Sequence, residues 1–251
     1  MVHLRVTLLY CVAFYFLIML HASMHELIHH FTGAAICGAW GTKSLNLFRL
    51  ACGADTAWLA TDGAPWKRMF TTAWFATYVG PIYSYVMMWL GALWIARGSS
   101  TWLRHLGFAT IFAQLPFQRM SGPLFGWNDE WFATRHIFGA DELNRWITLA
   151  VLVAICIPPL VIAYRSIANR WRWAWFAFYF ALFPALLFAP ALIGLEYLMV
   201  GRHVLAQPFF GIGLLFILNE IITIAGWILT QKHIDPAHAK HQMSGKNDSR
   251  V

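Results

Sequence analysis

Long uncharged stretches set the pattern of this chain. Residues 6–24, 69–96, 146–164 and 173–195 contain no Asp, Glu, Lys or Arg. A fifth apolar stretch, 206–230, is interrupted only by Asn219 and Glu220. About 20 apolar residues span the hydrocarbon core as a helix, so each predicts a transmembrane segment. Residues 106–118 form a shorter run, which lengthens to a span if Trp102 and the region of Arg104 sit among headgroups. The expectation is an all-α polytopic bundle of about six transmembrane helices in one domain, 1–230. Residues 231–251 are polar and predict a disordered tail.

The pattern changes after the first span. Residues 33–67 are punctuated by Gly33, Gly38, Gly41, Gly53 and Gly63, and apolar positions partly alternate in "SLNLFRLACG" and "TAWLAT". That predicts a short hairpin or re-entrant segment, or else a surface loop. Irregular backbone at membrane depth must be buried in protein or line a wet cavity. Residues 120–144 are the other non-spanning stretch. Gly122-Pro123 and Gly126 predict a helix break there. The stretch carries Asp129, Glu130, Asp141 and Glu142, four of the chain's 11 acidic residues.

Composition agrees with a membrane class: 59% of the 251 residues are hydrophobic and 12% charged, against about 25% charged in soluble domains. The net charge of +7 suits anionic lipid and is no signal for nucleic acid here. Trp171, Trp173 and Trp175 alternate with Arg170 and Arg172 as an interfacial belt. Arg5, an apolar run and the small residues Ala22 and Ser23 imitate a signal peptide. Cleavage there would strand the polar cluster that follows, so an uncleaved first helix is expected. Of four cysteines, Cys11 and Cys156 fall in spans, while Cys37 and Cys52 share a loop and can pair in an oxidising compartment.

The polar cluster is "HASMHELIHH", residues 21–30. His25, Glu26 and His29 form H-E-x-x-H. On a helix the two histidines lie about 40° apart around the axis and one turn apart along it, so both imidazoles reach one Zn²⁺. Glu26 flanks that face, placed to take a proton from water. Random placement of the 11 histidines and 5 glutamates produces on the order of 0.01 such motifs per chain. Ionisable groups beside an apolar span also need partners. The competing reading is an interfacial polar cluster that caps a helix. His21 extends the stripe by one turn as a supporting group or cavity lining, and His30 points about 120° away.

A hydrolytic zinc site takes three protein ligands and keeps one position open. If the first helix ends on one side of the membrane, the third span returns the chain to that side and delivers "GWNDEW". Asp129 is the candidate third ligand, with Glu130 and His136 as fallbacks. Asn128 is placed to orient Asp129 or to bond to substrate.

These residues resemble the site-2 protease family of intramembrane zinc metalloproteases. "HELIHH" on the first span, "GPIYSY" on the second and a later Asp follow that family's order. The resemblance covers roughly residues 6–135 and leaves helices within 144–230 unexplained. It departs at the third ligand, where the family commonly shows Leu-Asp-Gly and this chain has Asn128-Asp129-Glu130. The resemblance implies one zinc per chain held by His25, His29 and Asp129, with Glu26 as general base. It also implies Gly80 and Pro81 beside a membrane-embedded protein or peptide substrate. The implied reaction is peptide-bond hydrolysis, and the expected location is multi-pass in the plasma membrane of a prokaryote. Two other classes compete. "HELIHH" also fits H-x-x-x-H-H of a membrane di-iron oxygenase, though no second HH pair occurs. A non-catalytic protein such as a transporter would give Glu220 a role in the last span.

Overall fold

The computed structural model describes residues 1–43, 48–49, 51, 74–205 and 208–235. Its architecture is that of an all-α polytopic membrane protein, with five helices long and apolar enough to cross a bilayer. The first, α1, is Leu8–Cys37. Thr7 caps it by accepting from the Tyr10 amide, and Gly38 ends it in the left-handed region at φ 66°. At 30 residues it is about 45 Å long. The expected span therefore continues well past residue 24, and Gly33 lies buried inside α1 rather than opening the irregular segment. One interior glycine costs a helix only about 1 kcal/mol, and no breaker occurs before Gly38. His25 and His29 thus lie inside a long helix, not at its end.

Helix α2, Trp74–Arg97, runs back. Then come three short helices: α3 Thr101–Ala113, α4 Pro116–Phe125 and α5 Asp129–Ile137. The sixth span expected near 102–118 does not form. Pro116 disfavours helical backbone at the residue before it, and Leu115 takes φ 54° and ψ 53°. The 13 residues of α3 reach only about 20 Å. The remaining long helices are α6 Glu142–Ser166, a continuous helical run Arg172–Met199, and Leu214–Ile234. Within them we label α7 Arg172–Ala177, α8 Phe183–Glu196 and α9 Leu214–Thr230. Wide π turns at Phe178–Leu182 and Tyr197–Gly201 flank α8. Pro184 cannot donate to the carbonyl four residues back, which loosens the first of them.

Four two-residue strands, β1 Thr42–Lys43, β2 Phe48–Arg49, β3 Pro208–Phe209 and β4 Ile212–Gly213, form one small sheet in the order β2-β1-β4-β3. The hairpin expected after the first helix is β1–β2, antiparallel. A second hairpin, β3–β4, pairs with it through a parallel β1–β4 contact. Cys37 is disulfide-bonded, whereas Cys11 and Cys156 are free. The tail expected to be disordered from 231 is ordered at its start: Gln231–Ile234 form a 3-10 turn with Ile234 buried, and Asp235 accepts from Thr101 Oγ1. Cys52, "TAWLAT" and the tail from 236 lie outside the described residues.

The core is aromatic. Phe14, Phe108, Phe112, Tyr179 and Phe183 pack with ring centroids 4.8–5.8 Å apart. Such pairs contribute about 0.5–1.5 kcal/mol each beyond area burial. Between helices in lipid, close packing substitutes for water exclusion. Gly91 and Gly107 show it: a Cβ on either would lie 2.5–2.6 Å from the other's carbonyl oxygen. At the opposite end from the hairpins, Val2 exchanges backbone bonds with Ser166 and Ala168. Asn169 brackets Leu4 through both its amide and its carbonyl. These bonds tie residues 2–4 to the end of α6, and Trp171 and Trp173 beyond it are exposed. We predict that Gly91→Val lowers the apparent unfolding temperature in detergent, with an overpacking cost of about 1–3 kcal/mol.

Candidate metal centre

Three donor atoms converge where α1, α2 and α5 meet. His25 Nε2 and His29 Nε2 are 3.0 Å apart, and Asp129 Oδ2 is 3.0 Å from the first and 3.5 Å from the second. Four ligands at about 2.0–2.1 Å in a tetrahedron sit ~3.3 Å from one another. The three separations match that spacing. Among the described residues this is the one group of three or more His, Cys, Asp or Glu side chains able to hold a metal ion. The two imidazoles are buried, at 8% and 1% side-chain exposure, whereas the Asp129 side chain is 38% exposed. The site is closed from the helix side and open at the carboxylate.

Each donor is oriented by a partner behind it. Along α1, His21, His25 and His29 form one stripe. Along α2, Ala76, Gly80 and Ser84 form a facing stripe of small residues. His29 Nδ1 donates to the Ala76 carbonyl at 2.5 Å, which leaves Nε2 with its lone pair for a metal. Gly80 is the clearance for that ring, since a Cβ there would lie 2.3 Å from His29 Nε2. Pro81, inside α2, has no N–H for the Thr77 carbonyl and loosens the same turn. The structure thus seats the Gly-Pro pair behind the His29 ring. His25 Nδ1 is 3.1 Å from Ser84 Oγ, and His21 Nδ1 is 2.8 Å from the Tyr83 hydroxyl. His30 points elsewhere, donating to the Phe210 carbonyl at 2.9 Å.

Asp129 owes its place to a helix defect. Pro123 stands inside α4, so the predicted break at Gly122-Pro123 does not occur; Gly126, left-handed at φ 76°, ends the helix instead. Pro123 leaves the Arg119 carbonyl without its usual intrahelical donor. Asn128 Nδ2 donates to that carbonyl at 3.1 Å. Gly122 makes room, because a Cβ there would lie 2.2 Å from Asn128 Cγ. Asn128 Oδ1 accepts from the Trp131 amide and caps α5. Asp129 is the first residue of that helix. Both ends of the Asn128 amide are committed to the backbone, which fits the orienting role and leaves the substrate contact without support. Burial works to raise the Asp129 pKa, but the His25 and His29 rings, when they carry a proton on Nε2, outweigh it and hold the carboxyl well below the usual range.

Neither fallback ligand joins the group. Glu130 Oε1 accepts from Arg119 Nη1 at 3.1 Å and from the Tyr85 hydroxyl. His136 binds the Phe132 carbonyl at the surface. Arg119 is the residue that sequence reasoning missed. Its Nη2 lies 2.8 Å from Ser84 Oγ and 3.1 Å from His25 Nδ1, and its Nε donates to the Gln114 carbonyl. Burial opposes its charge, yet Glu130, Tyr85 and Asp129 together outweigh this and its pKa is raised. A signal existed: Arg119 is the lone Asp, Glu, Lys or Arg between Arg104 and Asp129, and a solitary charge in such a stretch needs a carboxylate. Lys43 was missed too. It reaches from β1 to Glu26 Oε2 at 3.1 Å with its side chain fully buried.

Glu220 on α9 accepts from Ser23 Oγ at 2.5 Å and from Asn219 Nδ2 at 3.2 Å, so it ties the last span to the metal-motif helix. Comparison with protein-family models, with curated proteins and with solved structures finds no match. If this group holds a metal, Gly80→Ala and Gly122→Ala should each weaken its binding by on the order of 10–100-fold, the usual cost of disturbing groups behind metal ligands. A competitive chelator titration reads this directly.

Proposed function

We propose that this chain is a zinc metallopeptidase, multi-pass in the plasma membrane of a prokaryote, that hydrolyses peptide bonds of membrane-embedded substrates. The observation that carries the reading is the group of three donors spaced 3.0–3.5 Å apart, with Glu26 adjacent to His25 in sequence. Two imidazoles and one carboxylate are a donor set suited to zinc. A bound zinc would polarise the scissile carbonyl and lower the pKa of water towards 7.

The chain's own residues supply the rest. His25, His29 and Asp129 hold three positions and leave the side beyond Asp129 open to substrate. Glu26 takes a proton from water as the water oxygen bonds to the carbonyl carbon, and the carbonyl oxygen receives the electron pair. As the intermediate collapses, the C–N bond breaks and the proton passes from Glu26 to the leaving nitrogen. A helical substrate bond is shielded by its own hydrogen bonds, so the substrate must be extended first. The β1–β2 hairpin, which follows the metal helix, is suited to pairing with such a strand. Against a di-iron oxygenase stands the convergence of metal-type donors at one place among the described residues.

Purified protein should carry about one zinc per chain. Glu26→Gln should retain it and lose cleavage of a membrane-embedded peptide by on the order of 10²–10⁴-fold. Two irons, or full activity in the Gln variant, would overturn the reading.

A further inference from the structure

The resemblance to a protease core stops near residue 135, yet the structure ties residues 208–220 to the metal helix. The link is Lys43. Its backbone amide donates to the Gly211 carbonyl at 2.8 Å, and β1 lies between β2 and β4 in the sheet. Its ammonium lies 3.1 Å from Glu26 Oε2 and 5.3 Å from the centre of the Phe216 ring of α9. The carboxylates of Glu196 and Glu220 also act on it. Between Glu26 and Arg49 it is the lone Asp, Glu, Lys or Arg. A fully desolvated ammonium is costly unless paired, and besides Glu26 on α1 this one is met by Phe216 of α9 and, at its backbone, by Gly211 beside β4.

We infer that Lys43 is the positioning residue of the general base: held by the second hairpin and α9, it fixes Glu26 Oε2 and presents Oε1 to the reacting water. The inference rests on the peptidase reading. It assigns the C-terminal spans a part in catalysis, because without β4 the strand that carries Lys43 has a partner on one side only. The joint is narrow. Gly211 has φ 75°, and a Cβ there would lie 1.8 Å from the Gly41 carbonyl oxygen. Glu26 needs such a holder because a glutamate has three rotatable bonds, and an unrestrained carboxylate spends little time in line with the water.

The test uses the full chain in detergent with Glu26→Gln, Lys43→Met, Lys43→Arg and the Gln/Met double variant. Lys43→Met should keep about one zinc and lose kcat by on the order of 10–100-fold, with KM within about twofold of the parent. Lys43→Arg should recover most of that loss. In the chelator-stripped chain, the losses of unfolding temperature from Glu26→Gln and Lys43→Met should not add, as expected for two groups that contact each other. A Lys43→Met kcat within about twofold of the parent, or fully additive temperature losses, would overturn the inference. Should Lys43→Met fail to accumulate, Gly211→Ala decides: kcat falls with zinc retained if Lys43 must be held by β4, and an unchanged kcat refutes it. If Glu26→Gln itself stays active, the peptidase reading falls; if it is inactive while Lys43→Met is not, the positioning role alone falls.

Discussion

An ionisable group set among apolar helices has to meet a polar or charged partner, and this structure is organised by that requirement. Asp129 meets two imidazoles, Glu130 meets Arg119, and Glu26 meets Lys43. Each pair joins different elements: α1 with α5, α4 with α5, and α1 with β1. For the buried Glu130–Arg119 and Glu26–Lys43 pairs, removing one partner costs about 3–5 kcal/mol. The pairings therefore fix how the short helices dock against the long ones. Aromatic packing around Phe14 and Tyr179 holds the spans together.

Short-range pattern and long-range pairing divided what could be read from the chain. H-E-x-x-H was legible because its chemistry depends on one helix and its period. Asp129 was legible because span counting places it on the motif's side, and it holds that place although the third crossing is broken at Leu115. The break did not separate the three donors, since α3, α4 and α5 together still bring Asp129 to His25. The hairpin after α1 was legible from its glycines and alternation. Its partner β3–β4 was not, because two-residue strands hidden in an apolar run leave no period.

Lys43, Arg119 and Ser84 escaped for a different reason. Each acts across 35 to 94 positions of sequence or through a strand whose neighbour comes from the far end of the chain. No local spacing encodes such contacts. What the sequence did carry was a pair of solitary cations in uncharged surroundings. The same holds for the small-residue stripe Ala76, Gly80 and Ser84, which reads as ordinary helix packing until the facing histidines are known.

The slot that receives Asn128 has a consequence for how this protein can change. Gly122 and Pro123 are the two worst residues for a helix interior, by about 1 and 3 kcal/mol. Replacing Pro123 with alanine would mend the helix by restoring a donor to the Arg119 carbonyl. That donor would compete with Asn128 for its anchor and free the residue that precedes Asp129. Selection for a sturdier α4 therefore runs against the placement of Asp129 beside His25 and His29, and a screen for thermal stability alone would drift towards chains that fold better while loosening that donor group.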